Sequence, residues 1–320
     1  MEQSLMLNQN HFLDALYKKK NEVLSLVLSD FTNLEIFPAI GLEIEFYLIK
    51  DNSKIDKNDV LIDQFISNFI NKANQSKTLI SKIEKEQGHG QLEVKTTPSS
   101  QILIICQNLL IIKEISKEVA ADLNIMADFS AQPFLDDCGS ALQINLSFVD
   151  ENNNNLFAKN DNQESDLLLN SIGGILDLID QIMIFSTPGE KDYQRYNAEL
   201  NFELFKNQKY TAPINVSWGY DNRTAAIRIP RSEKKEDRRL EFRIPAANAD
   251  IYLVMASLLL AVKYGIDNKI KPMEPLYGNA FDKNYNLNPL IANYALAKES
   301  FFKPNPILNE LKELLIKVGN

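Results

Sequence analysis

Glu43 and Glu45 stand two residues apart in the segment Gly41-Leu-Glu-Ile-Glu-Phe46. Leu42, Ile44, Phe46 and Leu48 alternate with them, which is the period of a half-buried strand. On such a strand the two carboxylates share one side, roughly 6–7 Å apart. That is close enough to line one cleft and far enough apart to serve two cations. Glu86 and Glu93 flank a turn carrying Gly88 and Gly90, and both can point into the same cleft. Glu241 lies between Arg239 and Arg243 on a third alternating segment, whose other side is Leu240, Phe242 and Ile244. Carboxylates that converge without countercharge raise one another's pKa. Oxygen-rich sites of this kind suit Mg²⁺ or Mn²⁺. Arg223, Arg228, Arg239 and Arg243 add forked donors for phosphate or carboxylate. Together these are the parts needed for phosphoryl transfer from a nucleotide. A plainer alternative stands beside this one, in which Glu-x-Glu is a solvated strand face and Arg-x-Glu-x-Arg a surface salt-bridge ladder. Neither a GxxxxGK[ST] loop nor a GxGxxG fingerprint is present to decide for a nucleotide.

The elements that must position these residues are legible in the rest of the chain. It has 320 residues, 45% hydrophobic and 24% charged, with a net charge of −9. The length suits one large domain with its own core, and the acidic balance argues against nucleic acid as a partner. Two cysteines, Cys106 and Cys138, cannot build a disulfide framework, and two histidines, His11 and His89, disfavour all-histidine metal sites. The N-terminus lacks the pattern of a signal peptide, and the longest apolar stretches, 102–112 and 251–262, fall short of the ~20 residues that span a bilayer. The expectation is a cytoplasmic protein with no membrane partner. Apolar spacing predicts one or two helices over 11–31, and helices over 63–72, 99–123, 165–185, 251–266, 288–300 and 306–318. Strands are expected over 41–50 and 141–148, over 213–230 as a pair joined by Gly219–Arg223, and over 237–244. Residues 189–213 read as a long loop. The mixed order suggests α+β with a largely antiparallel sheet.

In this order, the segments resemble the catalytic domain of the glutamine synthetase family, over residues 38–266. Gly41-Leu-Glu-Ile-Glu-Phe46 is similar to the family's Glu-x-Glu-Phe strand. Glu86-Gln-Gly-His-Gly-Gln-Leu-Glu93 is similar to its Glu-x-x-x-Gly-Gln-x-Glu segment, and Gly139–Ser147 to its Gly-Ser-Gly-x-His-x-His-x-Ser strand. Asp192-Tyr-Gln-Arg195, Tyr210-Thr-Ala-Pro213, Asn222–Pro230 and Arg239-Leu-Glu-Phe-Arg243 resemble its Ser-Tyr-x-Arg, Tyr-Glu-Ala-Pro flap, Asn-Arg-x-x-x-x-Arg-x-Pro and Arg-x-Glu-x-Arg segments. Trp218-Gly219 is more like relatives that act on amines larger than ammonia. The resemblance implies a curved, largely antiparallel sheet backed by helices, with the catalytic domain over 38–320; the helical spacing before it makes 1–37 a helical N-terminal extension. It also implies an ATP- and Mg²⁺- or Mn²⁺-dependent ligase that joins a glutamate-like acid to an amine through an acyl phosphate. By the same resemblance Glu45, Glu86 and Glu93 hold a first metal, and Glu43, Gln143 and Glu241 a second. Asn145, Ser147, Arg223, Arg228 and Arg239 face ATP. Arg195, Arg243 and Gly139 face the amino-acid substrate, and Arg223 and Arg195 act in catalysis. Family members form rings with sites between subunits, which leaves a homo-oligomer open here.

Some positions depart from the family pattern. Gln143 and Asn145 stand where the family has two histidines, and Thr211 where it has the flap glutamate that takes a proton from ammonium; Glu199 or Glu203 are the nearby substitutes. About 40 residues precede the Glu43 strand and read as helix, where the family has a small β-rich domain. These departures keep two further readings open: a catalytically degenerate, nucleotide-binding regulatory partner, and a phosphotransferase of the guanidino-kinase type.

Overall fold

The computed structural model describes all residues except Met1, Asn160, Asn162, Tyr210, Thr211 and Asn320, and only the backbone of residues 2–7. Two helices, α1 (Glu2–Lys18) and α2 (Lys20–Asn33), lead into the long strand β1 (Phe37–Lys50). Then come β2 (Ser53–Lys54), α3 (Val60–Gln75), β3 (Ile80–Lys85), β4 (Gln91–Thr96), α4 (Ile102–Asp122), β5 (Met126–Asp128) and β6 (Leu142–Val149). The second half carries α5 (Asp166–Asp177), α6 (Ile179–Ser186), α7 (Ala198–Lys206), β7 (Trp218–Tyr220), β8 (Ile227–Ile229), β9 (Leu240–Phe242), α8 (Ile251–Asp267), α9 (Tyr294–Phe302) and α10 (Pro306–Gly319).

The strands form one sheet in the order β3-β4-β1-β6-β9-β8-β7, with β2 and β5 added on β1. Every pairing is antiparallel except that of β7 with β8. This is the α+β architecture expected. The period of two decides what each face does. Leu42, Ile44, Phe46 and Leu48 of β1, Leu92 and Val94 of β4, Ile144 and Leu146 of β6, and Leu240 and Phe242 of β9 are fully buried. They join Ile105, Leu109 and Ile112 of α4 and Leu258, Leu259 and Val262 of α8 in a single core. The N-terminal helices belong to that core too, through Leu16, Val23, Leu24, Val27 and Phe31. The alternate residues of the same strands are thereby turned to the opposite face, where the polar groups lie.

Local signals explain the helix starts. Asp59 caps α3 by accepting from Leu61 N at 2.9 Å, and Asp250 caps α8 by accepting from Tyr252 N at 3.0 Å. Among the described residues no single helix is long and apolar enough to cross a membrane.

Three expectations differ from the structure. Residues 165–185 form two helices bent by 75° rather than one. The break is at Leu178, beyond Gly174, which lets α5 lie against α8, and Gly173, which lies against Ile270 just past the end of α8. A Cβ on Gly174 would sit 2.2 Å from Ala261 O. Residues 189–213 are not an open loop: a 3₁₀ turn over Glu190–Tyr196 leads into α7, capped by Asn197 accepting from Leu200 N at 2.9 Å. Only Asn201 and Leu204 of α7 are buried, too few to give a helical period. β7 and β8 are parallel, not a hairpin: Asp221, at φ 47°, turns the chain out, and its N–H donates to Ile229 O at 2.9 Å.

Candidate active site

The polar face of the sheet holds a cavity of about 560 Å³, lined by Glu43, Glu45, Glu86, Glu93, Gln143, Arg223, Arg228, Arg239, Glu241 and Arg243 among others. Register explains how they meet. Glu45 stands opposite Glu93 and Glu43 opposite Gln143, while Asn145 stands opposite Glu241 and Arg228 opposite Glu241 on the next strand. Glu86 reaches the same cavity from the turn after β3. Strands and the turns beside them thus present these five expected carboxylates and four expected arginines, with Glu84, Asp221 and Arg231, to one space.

Burial and mutual repulsion set the charge of these groups. Burial pushes Glu45 up to about 7, helped by the neighbouring Glu86. Burial, then Glu43 and Glu45, push Glu93 up to about 9. Burial also raises Glu86. Glu43 goes the other way. Burial alone would raise it, but the Lys95 ammonium and the hydrogen bonds it accepts from Lys95 and Asn145 hold it below the usual carboxylate range. Glu45 accepts from Ala141 N at 2.8 Å and from the Gln143 amide at 3.0 Å. Glu43 accepts from the Asn145 amide at 2.8 Å.

Glu241 is in a different position. Arg228 approaches one of its oxygens at 3.0 Å and Arg243 the other at 2.8 Å. Arg228 also pairs with Asp221. Arg243 donates to Gln143 Oε1 at 3.3 Å and to Arg223 O at 3.1 Å. Arg239 donates to Asn145 Oδ1 at 2.8 Å. A smaller cavity of about 250 Å³ adjoins on the far side of Asn145, lined by Ser147, Arg239, Gly41, Pro98 and Thr96 among others. The residues assigned to ATP therefore fall on two neighbouring spaces that share Glu43, Lys95 and Arg239.

Other expected site residues lie away from this lining. Arg195 is buried behind it, where its guanidinium donates to Ile244 O at 2.7 Å and to Arg243 O at 3.2 Å. Gly139 packs against Arg195: a Cβ there would sit 2.9 Å from Arg195 Cγ. Glu199 and Glu203 are exposed on α7 and line neither space; Glu203 pairs with Lys206 at 2.7 Å. Tyr210 and Thr211 of the flap lie outside the described residues. His89 is half exposed, its ring 3.9 Å from Asp56. Cys138 is buried and its thiol is pushed up to about 12 by burial. Trp218 is buried and donates to Met273 O at 2.6 Å.

Lys95 is the charged residue missed in the sequence that touches the expected ligands most directly; Glu84, Asp221 and Arg231 of the lining were missed too. Lys95 follows Glu93 by two positions on β4, so the pleat turns both to the same face. Its ammonium lies 2.7 Å from Glu93, 3.1 Å from Glu43 and 3.2 Å from Glu84. The spacing was the available signal.

The donor chemistry bears on a metal. Glu45, Glu86 and Glu93 are oxygen ligands suited to a hard divalent ion, and such an ion would favour the charged forms that burial, above all, disfavours in all three. That set fits. Glu43, Gln143 and Glu241 are already engaged by Lys95, Arg228 and Arg243, and do not offer an equivalent set. Among the described residues no three His, Cys, Asp or Glu side chains already converge at ligand distance.

This sheet, with carboxylates and arginines on one face, defines a class. The family model described as glutamine synthetase, catalytic domain, matches residues 56–303, and the chain belongs to that family. The match runs further toward the C-terminus than the motifs indicated and begins after the Glu43–Glu45 strand. Among similar curated proteins, gamma-glutamylputrescine synthetase PuuA of Escherichia coli (strain K12) is 25% identical over 271 residues, 78% of this chain and 55% of its own length. Glutamate–isopropylamine ligase of a Pseudomonas species is 31% identical over 218 residues, 67% of this chain and 45% of its own. The glutamine synthetase of Aquifex aeolicus (strain VF5) is 33% identical over 205 residues, 63% of this chain and 40% of its own. The chain thus spans about half the length of these relatives. Among solved structures, GmaS in complex with ADP superposes with a TM-score of 0.80 at 21% identity, covering 93% of this chain and 71% of that one, a likeness of fold.

Proposed function

We propose that this chain is the catalytic part of an ATP- and divalent-metal-dependent ligase that activates a glutamate-like carboxylate and joins it to an amine. The observation that carries this reading is the single cavity in which Glu45, Glu86 and Glu93 face Arg223, Arg228 and Arg239. In the first step a carboxylate oxygen of the acid attacks the γ-phosphorus of ATP, the bond to the β–γ bridging oxygen breaks, and ADP leaves. In the second the amine nitrogen attacks the acyl carbon, phosphate leaves, and the nitrogen loses a proton. Glu45, Glu86 and Glu93 would hold a divalent ion, which neutralises phosphate charge. Arg223, Arg228 and Arg239 supply donors preorganised on the sheet for the charge that develops on the transferred group. Asn145 and Ser147 are assigned to the nucleotide, lining the smaller space beside Arg239. Arg243 offers a guanidinium to the acid's carboxylate, and Arg195 holds the backbone at Arg243 and Ile244 in place.

The relatives named for putrescine and isopropylamine favour an amine larger than ammonia. The experiment is ADP release from ATP and Mg²⁺ or Mn²⁺ with L-glutamate and a panel of ammonia, alkylamines and polyamines. Release that requires both glutamate and one amine supports the ligase. Binding of nucleotide without release under any amine supports the regulatory partner, and ADP formed with a phosphorylated acceptor and no amide supports the phosphotransferase.

A further inference from the structure

The cavity contains a cation that the chain itself supplies. Lys95 projects from β4 on the same face as Glu93, and register sets it directly opposite Glu43 on β1. Its ammonium bridges the two carboxylates, at 2.7 Å from Glu93 Oε2 and 3.1 Å from Glu43 Oε2, with Glu84 Oε1 at 3.2 Å as a third partner. The Glu93 side chain is 3% exposed and that of Lys95 32%, so the contact is shielded from water on the glutamate side only. The ammonium carries three donors; its contact with Glu43 is a hydrogen bond, and those with Glu93 and Glu84 are ion pairs.

The remaining oxygens of that half of the cavity are also taken. Both oxygens of Glu241 face arginines, Arg228 and Arg243. Gln143 turns its NH₂ to Glu45 and its oxygen to Arg243. Glu43, Gln143 and Glu241 are therefore each neutralised or hydrogen-bonded by a side chain of the protein. Glu45 and Glu86, by contrast, are the cavity carboxylates for which no salt-bridge partner is found within 4 Å among the described residues, and Glu93 has its other oxygen, Oε1, free of Lys95.

We propose that Lys95 is a tethered cation standing in for one of two divalent ions, so that this site takes a single ion, at Glu45, Glu86 and Glu93. The inference rests on the reading of the cavity as a metal–nucleotide site and specifies how its positive charge is supplied. A lysine in that place neutralises Glu43 permanently and keeps half the cavity charged and ordered whether or not metal is bound. It also sets one ammonium beside the shared wall of the two spaces, where a phosphate can take its third donor in exchange for Glu84.

The test counts Mn²⁺ bound per chain, by calorimetry and by the electron paramagnetic resonance of free Mn²⁺, in the wild type, Lys95→Asn, Lys95→Gln, Lys95→Arg and Glu45→Gln. Circular dichroism checks that each variant is folded. The expected counts are one for the wild type and Lys95→Arg, two for Lys95→Asn and Lys95→Gln, where Glu43, Glu84 and Glu93 lose their ammonium and offer their oxygens to a second ion, and none for Glu45→Gln. Two ions in the wild type overturn the proposal. One ion in the wild type and still one in both neutral variants overturns the role of Lys95. No ion in any of them overturns it together with the metal–nucleotide reading, a result distinct from either. If one neutral variant does not fold, the other and the wild-type count decide.

Discussion

Glu45 and Glu93 are direct cross-strand partners on β1 and β4, a half-buried and a buried carboxyl group side by side on the polar face of the sheet. Like charges so placed destabilise a sheet. Burial with Glu86 pushes Glu45 up to about 7, and burial with Glu43 and Glu45 pushes Glu93 up to about 9. A fold keeps such a pair at a cost, and the cost is relieved by a bound cation. Glu45→Gln should therefore leave the metal-free melting temperature unchanged or higher, while Mn²⁺-dependent nucleotide affinity falls below detection by calorimetry. Unchanged affinity would remove Glu45 from the metal set.

Arg195 is the residue whose expected place and observed place differ most. Its guanidinium is buried and bonds the backbone carbonyls of Ile244 and Arg243, directly after β9. Arg195→Ala should lower stability by about 2–4 kcal/mol, because carbonyls and a neighbouring tyrosine lose their donor out of water. Chemical denaturation measures it. A loss under about 0.5 kcal/mol, the range of ordinary surface changes, would return Arg195 to direct substrate contact.

Gly174 sets how closely α5 approaches α8. Its missing Cβ would lie 2.2 Å from Ala261 O and 2.6 Å from the Gly265 backbone. Overpacking against backbone cannot be relieved by a rotamer change. Gly174→Ala should cost about 3 kcal/mol or more in stability, against the usual gain of up to about 1 kcal/mol for glycine to alanine in a helix. A thermal melt equal to wild type would contradict the close contact.

Lys113 gives a pH dependence. Burial holds its amine down at about 8, against an ordinary value of 10.5, beside Ala247 O at 2.6 Å. Between those two pH values the unfolded chain binds more protons than the folded one, so stability rises with pH there, and below pH 8 the cost of the buried charge is present in full. Lys113→Met should raise stability at pH 7 by roughly 1–3 kcal/mol. It should also flatten the rise between about pH 8 and pH 9.5, where the tyrosines have not yet ionised. A wild-type profile as flat as the variant's would contradict this.

The polar face of the site was legible because a strand with period two announces which residues share a side. Glu43, Glu45, Glu93, Gln143, Glu241 and Arg243 each sit on an alternating segment, and the structure brings them to one cavity, with Asn145 on the smaller space beside it. Lys95 obeys the same rule but was passed over, since a lysine two residues from a glutamate reads as a surface pair until the strand opposite is known to carry Glu43. α7 was missed because its two buried positions make no helical stripe. The parallel pairing of β7 with β8 depends on how six residues, 221–226, turn back across the sheet, and on buried Ala225 and Ala226, which leave room for that turn. Nothing in the composition of those residues specifies a crossover rather than a hairpin. Arg195 could be placed on the chain by its motif but not in space, because its partners are backbone oxygens from a distant segment.

The acyl phosphate is the center of the functional reading, and isotope transfer tests it most directly. L-Glutamate labelled with ¹⁸O in its carboxylates would be incubated with the full chain, ATP, Mg²⁺ and the amine that supports ADP release, and the released phosphate examined by mass spectrometry. Attack of the carboxylate on the γ-phosphorus predicts one labelled oxygen in each phosphate released. Phosphate carrying no label, with ADP still formed, would contradict it and assign the cavity to hydrolysis or to transfer onto another acceptor.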